Sequence, residues 1–164
     1  MRTRVYCSFI LALAVLAACL SAFGADVPST TATDQDAVAA VVKELDAAWN
    51  ARDAARFSAV FSEDGNFQFP VEGISLRGRD AIQNHYGKLF TTLPPDLRHV
   101  TTAGELNVIG PSLLAVDIDV RILGPDPKTG TAQALLSHYR GLGIGVRTDS
   151  GWRVRLARVY LAAK

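Results

Sequence analysis

The chain has 164 residues, 49% of them hydrophobic, and its 17 basic side chains nearly balance 16 acidic ones for a formal net charge of +1. This balance argues against a nucleic-acid-binding protein, because such domains concentrate basic charge against phosphates. Glycine and proline number 13 and 7, too few for a collagen-like or low-complexity chain, and the apolar fraction is too high for disorder. The length fits one packed domain, since single cores commonly hold about 100 to 200 residues.

The N-terminal residues predict an export signal. Arg2 and Arg4 precede an uncharged apolar run over 5–20, which is the order of basic and apolar regions in secretion signals. The run is shorter than the roughly 18 apolar residues of a membrane-spanning helix. We therefore expect a signal peptide over 1–24 and an exported protein, either periplasmic or anchored to the envelope by a lipid.

Two processing sites compete within this signal. Residues 16–19, Leu-Ala-Ala-Cys, resemble the bacterial lipobox, in which the cysteine, here Cys19, receives a lipid and the chain is cut before it. Residues 22–24, Ala-Phe-Gly, suit an ordinary signal peptidase. The lipobox is slightly favoured because it gives Cys19 a purpose. Both cuts remove Cys7, so we expect no internal disulfide.

Residues 25–33 lack periodicity and contain a Pro-Ser-Thr-Thr run, which predicts a flexible tether before a folded domain over 34–164. Thr33 and Asp36 form a capping-box-like pair at the start of a long first helix. Apolar residues recur behind that pair at helical spacing.

Shorter elements follow the first helix. Asp53 has the sequence context of an N-cap for a short second helix, which a turn over 62–65 ends. A third helix opens after Gly78 and ends before the Leu-Pro-Pro of 93–95. We expect strands over 66–69, 74–77, 98–109, 113–123, 131–147 and 152–162. Short turns favour antiparallel neighbours, and helices before a strand meander predict an α+β fold with the helices on one face of a curved sheet.

Four motifs carry a resemblance to a known superfamily, and they occupy residues 48–53, 61–67, 76–82 and 151–154. In this order and with these gaps, the chain resembles the nuclear-transport-factor-2-like superfamily, in particular its SnoaL-like and SgcJ/EcaC-type branches. The resemblance implies a cystatin-like cone, in which a curved antiparallel sheet wraps around a long N-terminal helix and holds a mostly apolar pocket. It also implies a homodimer formed through the outer face of the sheet.

Strand alternation predicts which side chains of 113–123 point into such a cone. The even positions of this strand are uniformly apolar, whereas Asp117, Asp119 and Arg121 share the other face. We expect these three charged residues to face outward, on a solvated or dimer-facing surface.

The same argument applied to the last two strands predicts polar pocket walls. Trp152 and the apolar positions after it set an inner phase that carries Arg158 and Tyr160 inward. In the preceding strand, alternate positions counted back from the apolar residues 142, 144 and 146 fall on Arg140 and His138, which predicts that these two also face inward. A bulge near the glycines at 141 and 143 would shift this alternation. We expect these four side chains to bind a ligand.

Aromatic residues predict the rest of the pocket wall, namely Trp49, Phe57, Phe61 and Tyr86. Candidates for acid–base chemistry are His85, which borders the apolar face of the third helix, and Tyr86, whose hydroxyl can donate to a carbonyl oxygen. Asp53 is a third candidate, although the helix cap is its favoured role. The sequence does not resolve which way His99 faces.

The histidines at 85, 99 and 138 lack metal-site spacing, and no phosphate-binding loop or serine elbow is present, so we expect no metal and no cofactor. No acid–base pair shares an inward strand phase, which favours binding over catalysis. We expect an exported protein that binds a small apolar or aromatic ligand without chemistry. The alternatives are an enzyme of the SnoaL or ketosteroid-isomerase type, which moves a proton next to a carbonyl, and a dimeric envelope interaction module.

Overall fold

A computed structural model describes residues 31–162. The predicted signal, both cysteines and residues 25–30 of the predicted tether lie outside the described residues. In chain order the elements are α1 (Ala32–Asn50), α2 (Ala54–Ala59), β1 (Phe61–Phe69), a 3-10 turn (Pro70–Glu72), β2 (Ile74–Arg77), α3 (Arg79–Thr92), β3 (Arg98–Gly110), β4 (Leu113–Gly124), β5 (Ala134–Thr148) and β6 (Gly151–Leu161). None of the described helices is both long enough and apolar enough to cross a membrane.

The six strands form one sheet in the order β2-β1-β6-β5-β4-β3. The predicted α+β fold, with a curved sheet around a long N-terminal helix, is confirmed, and the meander β3–β6 is antiparallel throughout. One pair departs from the expectation: β1 and β6 run parallel. A parallel pair needs a long connection, which the whole chain between these two strands supplies.

Helix α1 begins two residues before the predicted start. Thr31 is its N-cap, and the Thr31 hydroxyl donates to Asp34 Oδ2 at 2.8 Å while accepting from the Asp34 backbone N–H at 3.2 Å. The pairing of Thr33 with Asp36 is therefore wrong, and residues 32 and 33 belong to the helix rather than to the tether. A tertiary contact favours Asp34 over Asp36 as the acidic partner of the cap, because Arg147 Nη2 donates to Asp34 Oδ1 at 2.8 Å.

The turn predicted over 62–65 is also wrong, because β1 begins at Phe61 and runs through it. The register of β1 against β6 shifts between Phe61 and Asn66, so these residues form an irregularity within a strand. Gly65 is required there, since a Cβ would lie 2.8 Å from the carbonyl oxygen of Ser62. Polar turn-forming residues thus build a bulge instead of ending an element.

The other predicted elements are confirmed to within three residues. Asp53 is the N-cap of α2, and its Oδ1 accepts from the backbone N–H of Arg56 at 2.9 Å. Helix α3 buries Ile82, Tyr86 and Phe90 on one face. These residues join α1, α2 and β1 in an aromatic cluster, while a second cluster packs the first half of α1 on β4 and Trp152.

Candidate functional site

A cavity of about 450 Å³ lies between α1 and the concave face of the sheet. Its size falls within the roughly 300 to 1,000 Å³ of small-molecule sites. Its walls are mostly apolar and include residues of both core clusters. Strand β4 contributes its predicted inward set: Leu114, Val116, Ile118, Val120 and Ile122.

The four aromatic residues predicted as pocket wall all line this cavity. The rings of Phe57 and Tyr86 lie 4.1 Å apart between centroids, and Trp49 meets Phe90 edge to face at 5.8 Å. Phe61 is almost completely buried and packs 5.9 Å from Phe57. A rigid aromatic wall of this kind offers flat apolar surface to a ligand.

The predicted phase of β5 is wrong. Its glycines at 141, 143 and 145 pair with the inward residues 118, 116 and 114 of β4, and directly paired residues share a sheet face. The inner phase therefore continues to Tyr139, which lines the cavity, and places His138 and Arg140 on the outer face. The inward positions are hard to recognise because they carry no side chains. Residues of β4 occupy that space: a Cβ at Gly143 would lie 3.0 Å from Val116 Cγ1.

The predicted phase of the second half of β6 is wrong as well. Leu156 pairs with residue 144, but Val154 pairs with residue 145, so Arg155 is an extra residue that switches the phase. Ala157 and Val159 consequently line the cavity. Arg158 and Tyr160 face outward, where Arg158 Nε donates to Gln68 Oε1 at 2.7 Å and Tyr160 is 43% exposed.

The outward orientation predicted for the charged residues of β4 is confirmed. Arg121 Nε donates to Asp119 Oδ1 at 3.0 Å, and His138 Nε2 is within hydrogen-bond distance of Asp119 Oδ2. The hydrogen bond with His138, assisted by the positive charge of Arg121, lowers the pKa of Asp119. These groups form a surface network on the opposite side of the sheet from the cavity.

The candidates for acid–base chemistry separate into two groups. His85 lines the cavity with its ring 5.4 Å from that of Tyr86, whereas Asp53 caps α2 outside the lining. Burial, and next the negative charge of Glu72, raise the pKa of Tyr86, so the phenol keeps its proton. The Tyr86 hydroxyl makes no hydrogen bond to any residue between 31 and 162, and it is therefore available as a donor inside the cavity.

The cavity wall also contains a polar cluster that is not among the site residues predicted from the sequence. Asp46 Oδ1 lies 2.8 Å from His99 Nδ1, and the Thr101 hydroxyl donates to the same oxygen at 2.8 Å. Asp46 Oδ2 accepts from the Thr101 backbone N–H at 2.8 Å. His99 and Thr101 both line the cavity. The carboxylate thus holds the imidazole in a fixed orientation against the cavity.

Helix α1 positions His99 with three side chains from adjacent turns. Asp46, Trp49 and Asn50 stand at i, i+3 and i+4, which places them on one helix face. The indole of Trp49 lies 5.0 Å from the imidazole with 30° between the planes. Asn50 donates to the His99 carbonyl at 2.9 Å and accepts from the His99 backbone N–H at 2.8 Å. These contacts restrict the rotation of the His99 side chain.

Part of this cluster carries a signal in the sequence. His99 and Thr101 stand two residues apart on a strand and therefore share one face. Their partners across the β3–β4 hairpin are Ile122 and Val120, which the alternation of β4 assigns to the inside. A register for that hairpin would have resolved the orientation of His99.

Within residues 31–162, no group of three or more histidine, cysteine, aspartate or glutamate side chains is placed to hold a metal ion.

The SnoaL-like domain family model matches residues 41–160. The match spans most of the chain, from the second half of α1 to the penultimate residue of β6. The protein therefore belongs to the SnoaL-like domain family, which has the nuclear-transport-factor-2-like fold found above. Among curated proteins none matches the chain.

Solved structures share the fold at low sequence identity. A Nostoc punctiforme domain of unknown function with a cystatin-like fold has a TM-score of 0.70 and 24% identity, over 82% of this chain and 81% of that one. A nuclear-transport-factor-2-like protein from Novosphingobium aromaticivorans has a TM-score of 0.69 and 20% identity, over 91% and 89%. An uncharacterised Caulobacter vibrioides protein gives 0.65 and 23%, over 79% and 89%. At these identities the likeness concerns the fold alone.

Proposed function

We propose that this SnoaL-like domain binds a small apolar or aromatic molecule in its cavity. The observation that carries the proposal is a cavity of about 450 Å³ with mostly apolar walls. Its lining includes the four aromatic residues that the sequence predicts. Apolar surface that a ligand covers contributes about 25 cal/mol per Å². A cavity of this composition favours a ligand with little polar surface.

The charges around the cavity favour a neutral ligand. Asp46 is already hydrogen-bonded by His99 and Thr101, and the exposed Glu72 belongs to a turn at the cavity rim. Arg158 and Arg140, which the sequence placed in the pocket, lie on the other sheet face. Arg153 is part of the lining, but it pairs with the outward Val146 and its Nη1 donates to the Trp152 carbonyl at 2.9 Å. An anionic ligand would therefore lose its hydration without gaining these arginines as partners.

Binding is tested with naphthalene as the probe and isothermal titration calorimetry as the readout. Ile118→Trp fills the cavity from β4, whereas Asp117→Trp adds the same ring on the outer face of the same strand. We expect wild type and Asp117→Trp to bind and Ile118→Trp to lose at least about tenfold in affinity, provided that circular dichroism shows both variants folded. Equal binding by both variants, or none by the wild type, would refute the proposal.

A second candidate function is proton transfer next to a carbonyl group, and the pair of Asp46 and His99 supports it. An imidazole held by a carboxylate is a common general base, and the Tyr86 hydroxyl is a donor that could stabilise an enolate oxygen. The test is deuterium uptake by 2-tetralone in heavy water, followed by NMR. Uptake that the protein accelerates and His99→Ala abolishes would support an enzyme, whereas uptake at the buffer rate would leave binding alone.

We also propose that two copies pair through the outer face of the sheet. Support comes from an apolar patch on that face: Leu142 is 39% exposed, and Ile144 and Leu156 pair beside it. The charged residues Asp117 and Arg158 pair directly with Leu142, and Arg140 lies two positions before it on β5. A mixed apolar and charged surface of this kind is typical of protein interfaces.

Export, with or without a lipid on Cys19, stays a proposal that rests on the sequence of the first 24 residues. Intact mass spectrometry of the protein from its own host distinguishes the two processing sites. A chain beginning at a diacylglycerol-modified Cys19 supports the envelope-anchored form, and one beginning at Ala25 supports the periplasmic form. An unprocessed N-terminus would refute export.

A further inference from the structure

The hydrogen bonds of Asp46 determine which nitrogen of His99 carries the proton. An ionised carboxylate only accepts hydrogen bonds, and a neutral imidazole has one N–H and one unprotonated nitrogen. Because Nδ1 of His99 lies 2.8 Å from Asp46 Oδ1, Nδ1 is the nitrogen that donates. The other ring nitrogen, Nε2, is then a hydrogen-bond acceptor.

Nothing in the described part of the chain satisfies this acceptor. His99 lines the cavity, its side chain is 11% exposed, and its ring contacts with residues 31–162 involve Nδ1 or the face stacked on Trp49. Nε2 is not fully buried, so it loses contact with water only when a ligand fills the cavity, and a ligand without a donor then leaves it unpaired at a cost in free energy. A ligand that supplies an O–H removes that cost.

We infer that the cavity selects neutral aromatic molecules that carry a hydroxyl group, and that this hydroxyl donates to Nε2 of His99. The inference rests on the proposed function, since it requires a small ligand in the cavity. It adds a ligand class: phenols and related aromatic alcohols. An ether of the same shape presents only an oxygen lone pair to Nε2, and an unsubstituted ring leaves Nε2 unpaired. Sites built around a buried hydrogen-bonding group discriminate strongly against analogues that lack its partner.

The orientation of Asp46 allows a variant that reverses the proton on His99. The backbone N–H of Thr101 can only donate, and it points at Oδ2. In Asp46→Asn the amide oxygen must therefore occupy the Oδ2 position, which places the NH₂ group against His99 Nδ1. Nδ1 then accepts, and the proton moves to Nε2. This variant converts the cavity group from an acceptor to a donor while its volume barely changes.

The test compares 2-naphthol, 2-methoxynaphthalene and naphthalene by calorimetry at about pH 8. We expect wild type to bind 2-naphthol about tenfold more tightly than the methyl ether, the gain of one net hydrogen bond. In Asp46→Asn both molecules can accept from Nε2–H, so their affinities should agree within about twofold. Asp117→Asn makes the same chemical change on the outer face and should keep the wild-type ratio.

Nitrogen-15 NMR of histidine-labelled wild type reports the protonation of His99 Nε2 directly and does not depend on the folding of Asp46→Asn. His99→Phe is needed only to assign the His99 signal. We expect His99 Nε2 to be unprotonated. A proton on Nε2, or equal wild-type affinities for 2-naphthol and its ether, would overturn it. Naphthalene binding without a preference for 2-naphthol would overturn this inference alone, whereas failure of naphthalene to bind would overturn the proposed function as well.

Discussion

Replacing Gly141 by alanine tests the assignment of the inner face of β5. A Cβ at this position would lie 2.4 Å from the carbonyl oxygen of Arg158 and 3.1 Å from Ile118 Cγ1. Ordinary contacts of a Cβ begin at 3.4 Å, so the neighbouring backbone would have to retreat by about 1 Å. That carbonyl belongs to β6, and moving it disturbs the pairing of the two strands.

The expected cost follows from two opposing effects. Overpacking a well-packed site costs about 1 to 3 kcal/mol, and contact with backbone rather than a flexible side chain favours the upper half of that range. Replacing glycine by alanine in a strand returns about 0.5 to 1 kcal/mol of backbone entropy. We therefore expect Gly141→Ala to lower the free energy of unfolding by about 2 kcal/mol.

Two matched variants separate the steric effect from the general effect of alanine. A Cβ at Gly110, at the end of β3, meets nothing within 4 Å, so Gly110→Ala should stabilise by about 0.5 kcal/mol. At Gly143 the neighbour is a methyl of Val116 at 3.0 Å, which can move, and the change should be close to neutral. Urea unfolding followed by tryptophan fluorescence measures all three. If Gly141→Ala unfolds at the same urea concentration as Gly110→Ala, the close approach of β5 to β6 is wrong, and the phase assigned to β5 loses its support.

Three further predictions concern charge, burial and assembly. The hydrogen bond from Thr31, and then the positive charge of Arg147, lower the pKa of Asp34 below its ordinary 3.8. Ionised Asp34 therefore stabilises the folded state fully above that pH, and this contribution is lost as the pH falls further. The difference in free energy of unfolding between wild type and Asp34→Asn should shrink on acidification below about pH 4, and a difference that does not change with pH would contradict this. Because the pKa of Tyr86 is raised above 10.0, the tyrosinate absorbance that Tyr86→Phe removes should arise only above pH 10; a difference already present below that pH would show that the phenol is not buried. Leu142→Glu should raise the dimer dissociation constant at least about tenfold in light scattering, since dimer formation would then remove a carboxylate from water within the apolar patch. Val71→Glu, at a residue 64% exposed in the turn before β2, should leave the dimer dissociation constant unchanged. If Leu142→Glu also leaves it unchanged, the outer face of the sheet is not the dimer interface.

The fold was predictable because its signals are local. Helix α3, the cap at Asp53 and the limits of β3 and β4 follow from periodicity and turn residues within a dozen positions. Side-chain direction was predictable only where a strand has no irregularity between its inward residues, as in the inner positions of β4. In β6 the single extra residue Arg155 reverses every later side chain.

The site depends on contacts that no local pattern encodes. Asp46 and His99 are 53 positions apart, and their hydrogen bond forms only because α1 crosses the start of β3. Asp46 also lies beside the apolar face of α1, a position at which the sequence pattern predicts a solvent-exposed acidic residue. The inner face of β5 is equally hard to recognise from the sequence, because three of its inward positions are glycines and the apolar residues between them, Leu142 and Ile144, lie on the outer face.

The corrected strand phases change what can determine ligand specificity. With His138, Arg140, Arg158 and Tyr160 on the outer face, the cavity loses every strongly basic group that the sequence assigned to it. The polar groups that α1, α3 and β3 present to it then include one fixed acceptor, His99 Nε2, and one protonated donor, the Tyr86 hydroxyl. In apolar surroundings each hydrogen bond discriminates more strongly than in water. Selectivity should therefore follow the hydrogen-bonding pattern of a ligand's substituents more than its charge.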